Sequence, residues 1–371
     1  VALATLVVTC PCALALATPA AIAAATARLA KSGFLLVRAR ILEVLTRARV
    51  MVFDKTGTLT EGRPLVQRTI RLAESGLSSE ELLTVAAAIE TASEHVLARA
   101  FALFYSPGRY RVEDALAMSG NGVHATVDGK AWRIGCLEFV ADLSGDDREF
   151  DTNTPHTPVF IGDEERVLAR FDIGDELRSD AKQAIAAIAR HGFRPVIASG
   201  DRETAVGYTA DAVGIDDWHA CLSPADKLEL IRKLRDAGDA VIMVGDGIND
   251  APVLAAADAS IALDAGTALA RASADAVSLG TRLGTIVTAV SIAERTRRTI
   301  RQNIAWAIGY NLTAVPLAVS GMLAPWMAAI GMSLSSLVVV LNALRIHRLP
   351  AEGEQDARPV SRQRVRQEAI G

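Results

Sequence analysis

The chain has 371 residues, with 39 Lys+Arg against 43 Asp+Glu for a formal net charge of −4, and four Cys. Half of it is apolar, which excludes a disordered chain, and the cysteines are too few for a disulfide scaffold. The near balance of charge gives no sign of nucleic-acid binding, but its distribution is uneven: residues 1–27 and 303–344 carry no charged side chain, whereas the stretch between them is an ordinary charged globular sequence.

A bilayer crossing takes about 20 apolar residues, so residues 1–27 allow one. Cys10-Pro11-Cys12 interrupts it midway. Proline removes the helical hydrogen bond to the carbonyl near Val7 and unwinds the helix there, so two thiols that an intact helix points apart can converge on one ion. Soft thiolates select soft ions such as Cu(I). A signal peptide is the weaker alternative, because a basic amino-terminal region is missing and Cys-Pro-Cys stands where a smooth apolar core belongs. Val1 already lies inside the apolar segment, without an initiator Met, and on that basis we expect a fragment of a longer chain.

Residues 49–54, 194–201 and 241–246 each read as a buried β-strand closing on an acid, followed by a Gly-rich turn and an Ala-rich helical stretch such as 179–190. Strand, loop and helix in alternation predict a parallel sheet with its site at the carboxyl ends of the strands. Residues 62–171 break that rhythm. They hold a helical stretch (79–103), short alternating segments (122–134, 159–173) and a polar loop (144–158), which predict a separate α+β module inserted after the first strand. The run 303–344 has room for two more crossings joined by a turn over 321–325. Arg28, Lys31, Arg38 and Arg40 follow the first apolar segment; Arg295, Arg297, Arg298 and Arg301 precede the second, and Arg345 and Arg348 follow the third. By the positive-inside rule these ends, and the globular part with them, are cytosolic. The tail after Arg345 is polar and is expected to be disordered.

Asp54-Lys55-Thr56-Gly57-Thr58-Leu59-Thr60 puts a carboxylate at a strand end, ahead of a glycine turn that can aim backbone N–H groups at an anion. Ser199-Gly200-Asp201, then Lys227 in Pro224-Ala225-Asp226-Lys227, then Gly245-Asp246-Gly247-Ile248-Asn249-Asp250-Ala251-Pro252 follow in order, each beside a strand end. One such acid or lysine alone is explained by a turn or a solvated surface; the ordered set is not. These residues resemble the phosphorylation motif and later signatures of the P-type ATPases, within the haloacid dehalogenase superfamily. The resemblance implies that Asp54 is the nucleophile that takes the γ-phosphoryl group of ATP. It implies Mg²⁺ held by Asp54, the Thr56 carbonyl and Asp246, with Lys227 neutralising the phosphoryl group and Lys55, Ser199, Gly200, Asp201, Asn249 and Asp250 completing the catalytic set. A related phosphatase has a second Asp two positions after the nucleophile as general acid and base. Thr56 stands there, so an aspartyl-phosphate should persist.

Glu90-Thr91-Ala92-Ser93-Glu94-His95 resembles the nucleotide signature of the heavy-metal members, with Val96 where Pro is usual. Glu90, His95, Gly120 and Gly122 are the nucleotide contacts so implied, and Cys136 replaces a usual Asn. His124, His156, His191 and His219 show no metal spacing and read as structural. Tyr310-Asn311 and Met332-Ser333-Leu334-Ser335-Ser336 match the Tyr-Asn and Met-x-x-Ser-Ser patterns of the copper(I) subgroup of CPx heavy-metal ATPases. With Cys10 and Cys12, the residues Tyr310, Asn311, Met332, Ser335 and Ser336 are thereby implied as the transported-ion site. Zinc-type pumps place charged Lys and Asp residues in these helices, and this sequence has none; polar residues inside a bilayer usually line a path.

The resemblance covers residues 1–345. It implies an α/β fold: a haloacid-dehalogenase-like parallel-sheet phosphorylation domain with an inserted α+β nucleotide-binding domain, plus three transmembrane helices. The expected divisions are a Cys-Pro-Cys helix (1–27), the phosphorylation domain in two parts (28–61 and 172–302), the nucleotide-binding domain (62–171), two helices (303–345) and a polar tail (346–371). The implied function is ATP-driven export of Cu(I) across the cytoplasmic membrane, with ATP and Mg²⁺ as cofactors and Cu⁺ as the transported ion. The implied partners are the lipid bilayer, a copper chaperone as ion donor, and the amino-terminal half of the same pump, whose actuator carries a Thr-Gly-Glu motif absent from this chain. Ser199-Gly200-Asp201 and the stretch 331–336 lean towards pumps that supply copper to respiratory oxidases. The rivals are a zinc or cadmium pump, a membrane-tethered haloacid-dehalogenase-type phosphatase, and a nucleotide-binding remnant without turnover.

Overall fold

A computed structural model describes residues 1–10, 12–118, 120–152, 154–246, 251–263 and 274–348. Pro11, Asn249, Asp250 and the tail from 349 lie outside the described residues. The chain forms two compact units. One comprises Val1–Leu59, Arg178–Gly200 and the described residues from Ala212 on; the other comprises Thr60–Leu177 with Asp201–Asp211.

The first unit is built on a seven-stranded sheet. With strands numbered along the chain, its order is β1 (Phe34–Leu36), β13 (Ala276–Ser278), β12 (Ala259–Leu263), β11 (Val241–Gly245), β2 (Val50–Phe53), β9 (Arg194–Ala198) and β10 (Asp217–His219). Every neighbouring pair is parallel except β1 with β13. The β2 and β11 strands are buried throughout, as continuous apolar runs must be in a sheet covered on both faces. The helix Ala181–Arg190 buries Ala181, Ala184, Ile185 and Ile188, a 3.6-residue stripe, while Pro224–Asp236 starts with proline behind a Ser223/Asp226 capping box. Because β2 runs between β11 and β9, the residues that follow these strands (Asp54, Asp246 and Ser199) emerge along one edge.

Two helical stretches are long and apolar enough to cross a membrane, Ala2–Lys31 and Pro325–His347. The intervening segment expected at 303–319 is the end of a single 36-residue helix, Gly284–Val319, whose apolar character is diluted by Asn303, Tyr310 and Asn311. That helix turns into Pro325–Leu344 through Gly321 at φ +78°, a backbone conformation that glycine adopts without strain. The helices pack on alanines: Ala4 and Val8 against Ala314, Ala318 and Ala328, and further along, Ala13 and Ala17 against Ala307 and Val339. Small side chains of this kind let helix backbones approach closely where lipid offers no hydrophobic contrast.

The second unit is a six-stranded antiparallel sheet in the order β3 (Thr60–Arg71), β8 (Val167–Leu177), β7 (Thr157–Asp163), β6 (Lys130–Gly135), β5 (Gly122–Val127) and β4 (Val112–Met118). The chain enters on β3 and leaves on its neighbour β8, with Thr60 paired to Leu177, so both crossings lie side by side. Its core joins Leu82, Leu83, Ala86 and Ile89 of the helix Ser79–Glu90 to Phe101, Phe171 and the inner face of the sheet. The helical stretch expected over 79–103 is two pieces. The α-helix stops at Glu90, and a 3₁₀ helix, Val96–Phe104, follows. Between them the His95 N–H donates to Ser93 Oγ and the Leu97 N–H to His95 Nδ1, side-chain bonds that compete with a continuing helix.

Candidate functional site

Asp54 is the first residue after β2 and is 7% exposed. Lys227, on the first turns of the helix Pro224–Asp236, is also buried and donates from Nζ to Asp54 Oδ1 at 2.6 Å. This is a buried ion pair, which favours the unit only while both partners are present. The loop after Asp54 then departs from helical geometry: Thr56 is extended (ψ 126°) and Gly57 has φ 71°. A Cβ on Gly57 would lie 3.5 Å from Asp246 Cβ, so the acid that follows β11 packs directly on the glycine of the Asp54 loop. Asp54, the Thr56 carbonyl and Asp246 offer hard oxygen donors at one strand edge, a set that suits Mg²⁺. Ser199 is 2% exposed; its N–H donates to His219 O and its carbonyl accepts from Leu222, which ties the end of β9 to β10. Lys55 is half-buried and Thr56 exposed on the same loop, and Gly200 and Asp201 continue from Ser199.

One residue of this site gave no signal of its own in the sequence. Arg178 donates to the carbonyls of Thr58 (2.7 Å), Gly57 (2.7 Å) and Thr281 (2.6 Å), and so fixes the backbone of the Asp54 loop. As a single arginine after a strand it could not be told from a solvated one.

In the second unit, Glu90, His95, Gly120, Gly122 and Cys136 line one cleft of about 800 Å³, between the end of the helix Ser79–Glu90 and the edge of the β5–β6 hairpin. Burial pushes the Glu90 carboxyl up to about 7, against the smaller opposing effect of a hydrogen bond with Ser93. His95 is exposed and caps the 3₁₀ helix through Nδ1. Gly122 is a glycine for a reason other than room for a ligand. It pairs with Gly135 across the hairpin, and a Cβ on either would come within 2.0 Å of the opposite strand's carbonyl oxygen. Gly120 (φ +79°) has open space where a Cβ would stand.

In the membrane segment the helix stops at Val8 and restarts at Cys12, and the Cys10 and Cys12 sulfurs lie 2.8 Å apart. The two alanine clusters bracket this break. On the long helix they leave Tyr310 and Asn311 between Ala307 and Ala314, and on the last helix Met332, Ser335 and Ser336 between Ala328 and Val339. Tyr310, Asn311 and Met332 thus lie between the clusters with the cysteine break, whereas Ser335 is level with Trp306, outside the interval between Ala307 and Ala314. Tyr310 Oη lies against Gly331, where a Cβ would be 2.8 Å from it. Ser335 is buried and accepts from Trp306 Nε1 at 3.2 Å, so its hydroxyl is already engaged by a neighbouring helix. Among the described residues no three His, Cys, Asp or Glu side chains gather as a metal site, and an ion here would need sulfur from Met332 or backbone oxygen besides the two thiols.

A family profile described as haloacid dehalogenase-like hydrolase matches residues 48–258. The cation-transporting P-type ATPase B of Mycobacterium tuberculosis is 39% identical over 368 residues, which cover 95% of this chain and 48% of that protein. The copper-exporting P-type ATPase of the same organism is 38% identical over 352 residues, 94% of this chain and 46% of that protein. The fold also matches the crystal structure of a zinc-transporting PIB-type ATPase in its E2.Pi state, with TM-score 0.80 and 35% identity over 92% of this chain and 57% of that one. The chain spans about half the length of the curated relatives it matches.

Proposed function

Because the chain belongs to the haloacid dehalogenase-like hydrolases and, within them, to the P-type ATPases, we propose that it carries the phosphoryl-transfer and ion-path half of an ATP-driven metal exporter of the cytoplasmic membrane. The observation that carries this reading is the buried Asp54–Lys227 pair at the carboxyl edge of the parallel sheet, with Asp246 packed on the same loop. A carboxylate oxygen of Asp54 attacks the γ-phosphorus of ATP, the β–γ bridging P–O bond breaks, and ADP leaves with the bridging oxygen. Lys227 holds the nucleophile before transfer and offsets the phosphoryl charge after it. When bound, Mg²⁺ held by Asp54, Asp246 and the Thr56 carbonyl supplies charge neutralisation between an anionic nucleophile and an anionic nucleotide. The cleft of Glu90, His95 and Gly120 is the proposed seat of the nucleotide base.

For the exported ion we propose Cu(I). The paired thiols, with Met332 at their level, form a soft and charge-poor donor set, and residues 303–344 contain no carboxylate or ammonium. Delivery by a copper chaperone belongs to the same proposal. The likeness to a zinc-transporting structure favours a second reading, in which the ion is Zn²⁺. Purified protein incubated with Mg²⁺ and γ-labelled ATP should take acid-stable, hydroxylamine-labile label at Asp54, absent in Asp54→Asn. Label that responds to Cu⁺ and not Zn²⁺, and that is lost in Cys10→Ser/Cys12→Ser, supports copper; the opposite ion dependence gives the zinc reading. Sustained phosphate release without a labelled intermediate would make the protein a phosphatase.

A further inference from the structure

The connection after β8 joins two parts of the first unit that phosphoryl transfer alone leaves separate: the Asp54 loop and the long helix Gly284–Val319. Arg178 is 6% exposed, and its three guanidinium nitrogens each hold a carbonyl: Thr58 and Gly57 on the Asp54 loop, Thr281 just ahead of the helix. Two residues on, Asp180 is 7% exposed, and its Oδ2 accepts from the N–H of Gly284, the first residue of that helix, at 2.8 Å. Arg282 Nε lies 3.9 Å from the same oxygen. A helix leaves its first N–H groups without intrahelical partners, and a carboxylate there also meets the positive end of the helix dipole. The helix so anchored has 36 residues, which at 1.5 Å per residue is about 54 Å, and it carries Tyr310 and Asn311 at the level of the cysteine break.

We propose that Arg178 and Asp180 are positioning residues that couple the Asp54 loop to the helix Gly284–Val319, so that a change in the loop on phosphorylation moves the membrane segment. The proposal rests on the phosphoryl-transfer reading above. A guanidinium is planar and its donors are fixed relative to one another. Displacing the Gly57 and Thr58 carbonyls must therefore either break buried, charge-assisted bonds or carry the Thr281 carbonyl along. Asp180, held by the same short stretch of chain, then transmits that shift to the first turn of the helix. A packed helix responds as a rigid element, so a small displacement at its start reaches Tyr310.

Trp306 on this helix, half exposed and bonded to Ser335, is the reporter. The chain is placed in lipid nanodiscs with 5-fluorotryptophan, and the Trp306 resonance is assigned with Trp306→Phe. Mg²⁺ and beryllium fluoride, a phosphoryl mimic for aspartate, are added, and labelling from γ-labelled ATP is measured in parallel. In the wild type the Trp306 resonance should shift. Asp180→Ala should take label at Asp54 like the wild type yet lose the shift, and Asp180→Asn, which keeps an acceptor for the Gly284 N–H, should restore it. A full shift in Asp180→Ala overturns the proposal. If Asp180→Ala does not fold by circular dichroism, Gly284→Pro removes the same N–H at a helix start that tolerates proline, and the same loss is expected. A wild type that takes label but shows no Trp306 shift refutes the coupling alone. A wild type that takes neither label nor beryllium fluoride refutes the phosphoryl-transfer reading, and the coupling with it.

Discussion

Asp54 and Lys227 are each nearly inaccessible, and this makes them informative as a pair. Lys227→Met leaves a carboxylate buried without its partner, a change that typically costs about 3–5 kcal/mol, so thermal unfolding in Mg²⁺-free buffer should move to lower temperature. Label at Asp54 should fall in the same variant, because the phosphoryl charge loses its counter-ion. Glu90 gives a pH signature of opposite sense to that of an ordinary surface carboxylate. Its pKa rises from 4.5 to about 7 on folding, so the folded state prefers the protonated form. Its contribution is fully present below pH 4.5 and is lost as pH rises through 7, a loss of a few kcal/mol at most. Glu90→Gln should flatten stability against pH over that window and be the more stable protein at pH 8; unchanged pH dependence would show that the carboxyl is ionised and hydrated. The glycines of the cleft separate in the same way. Gly135→Ala would bring a Cβ within 2.0 Å of Asn121 O at φ +153° and should cost about 3 kcal/mol or more, whereas Gly120→Asn meets open space in a conformation that asparagine tolerates and should cost about 1 kcal/mol. A charged side chain at Gly122 is for this reason a poor probe of nucleotide binding, since any side chain there strains the hairpin.

At the scale of elements, the strands that lead into Asp54 and Asp246 were legible because fully buried parallel strands write continuous apolar runs with turn residues at their ends, and the strand before Ser199 does so over its buried end, residues 196–198. The edge strand β1 was not legible. Three residues, Phe34–Leu36, carry no period, and they become a strand only because β13, far along the chain, offers an antiparallel edge. Nor did the sequence reveal what locks that edge: Asp275, 1% exposed, accepts from both Arg38 and Arg40 and from the Ser260 N–H. Burial alone would raise the Asp275 pKa, but the bonds from Arg40 and Arg38 outweigh it and the net shift is downward. Because the helix Cys12–Lys31 leads directly into β1, this clasp fixes the cysteine helix to the sheet that carries Asp54. Asp275→Ala should lower stability by about 2–4 kcal/mol, read as a drop in unfolding temperature. Arg38→Ala alone, with Arg40 still paired, should cost less. The break at Glu90 was also invisible to helical periodicity, which runs on through 79–103, because it is made by Ser93 and His95 bonding to nearby backbone.

For the whole molecule, the proposed function assigns roles to a two-thiol break in one membrane helix, a buried aspartate at a sheet edge and a cleft in an inserted unit. Motif order along the chain made the grouping of Asp54, Lys227 and Asp246 legible. The common level of Cys10, Cys12, Tyr310, Asn311 and Met332 came only from packing, since it depends on which alanines meet across three helices. The central claim is covalent and can be read directly. Protein incubated with Mg²⁺, ATP and Cu⁺ under reducing conditions, then treated with borohydride and digested, should give the peptide around residue 54 with its aspartyl-phosphate reduced to homoserine. That mass change should be absent in Asp54→Asn and in samples without ATP. An unmodified Asp54 peptide alongside continuing ATP hydrolysis would contradict the account.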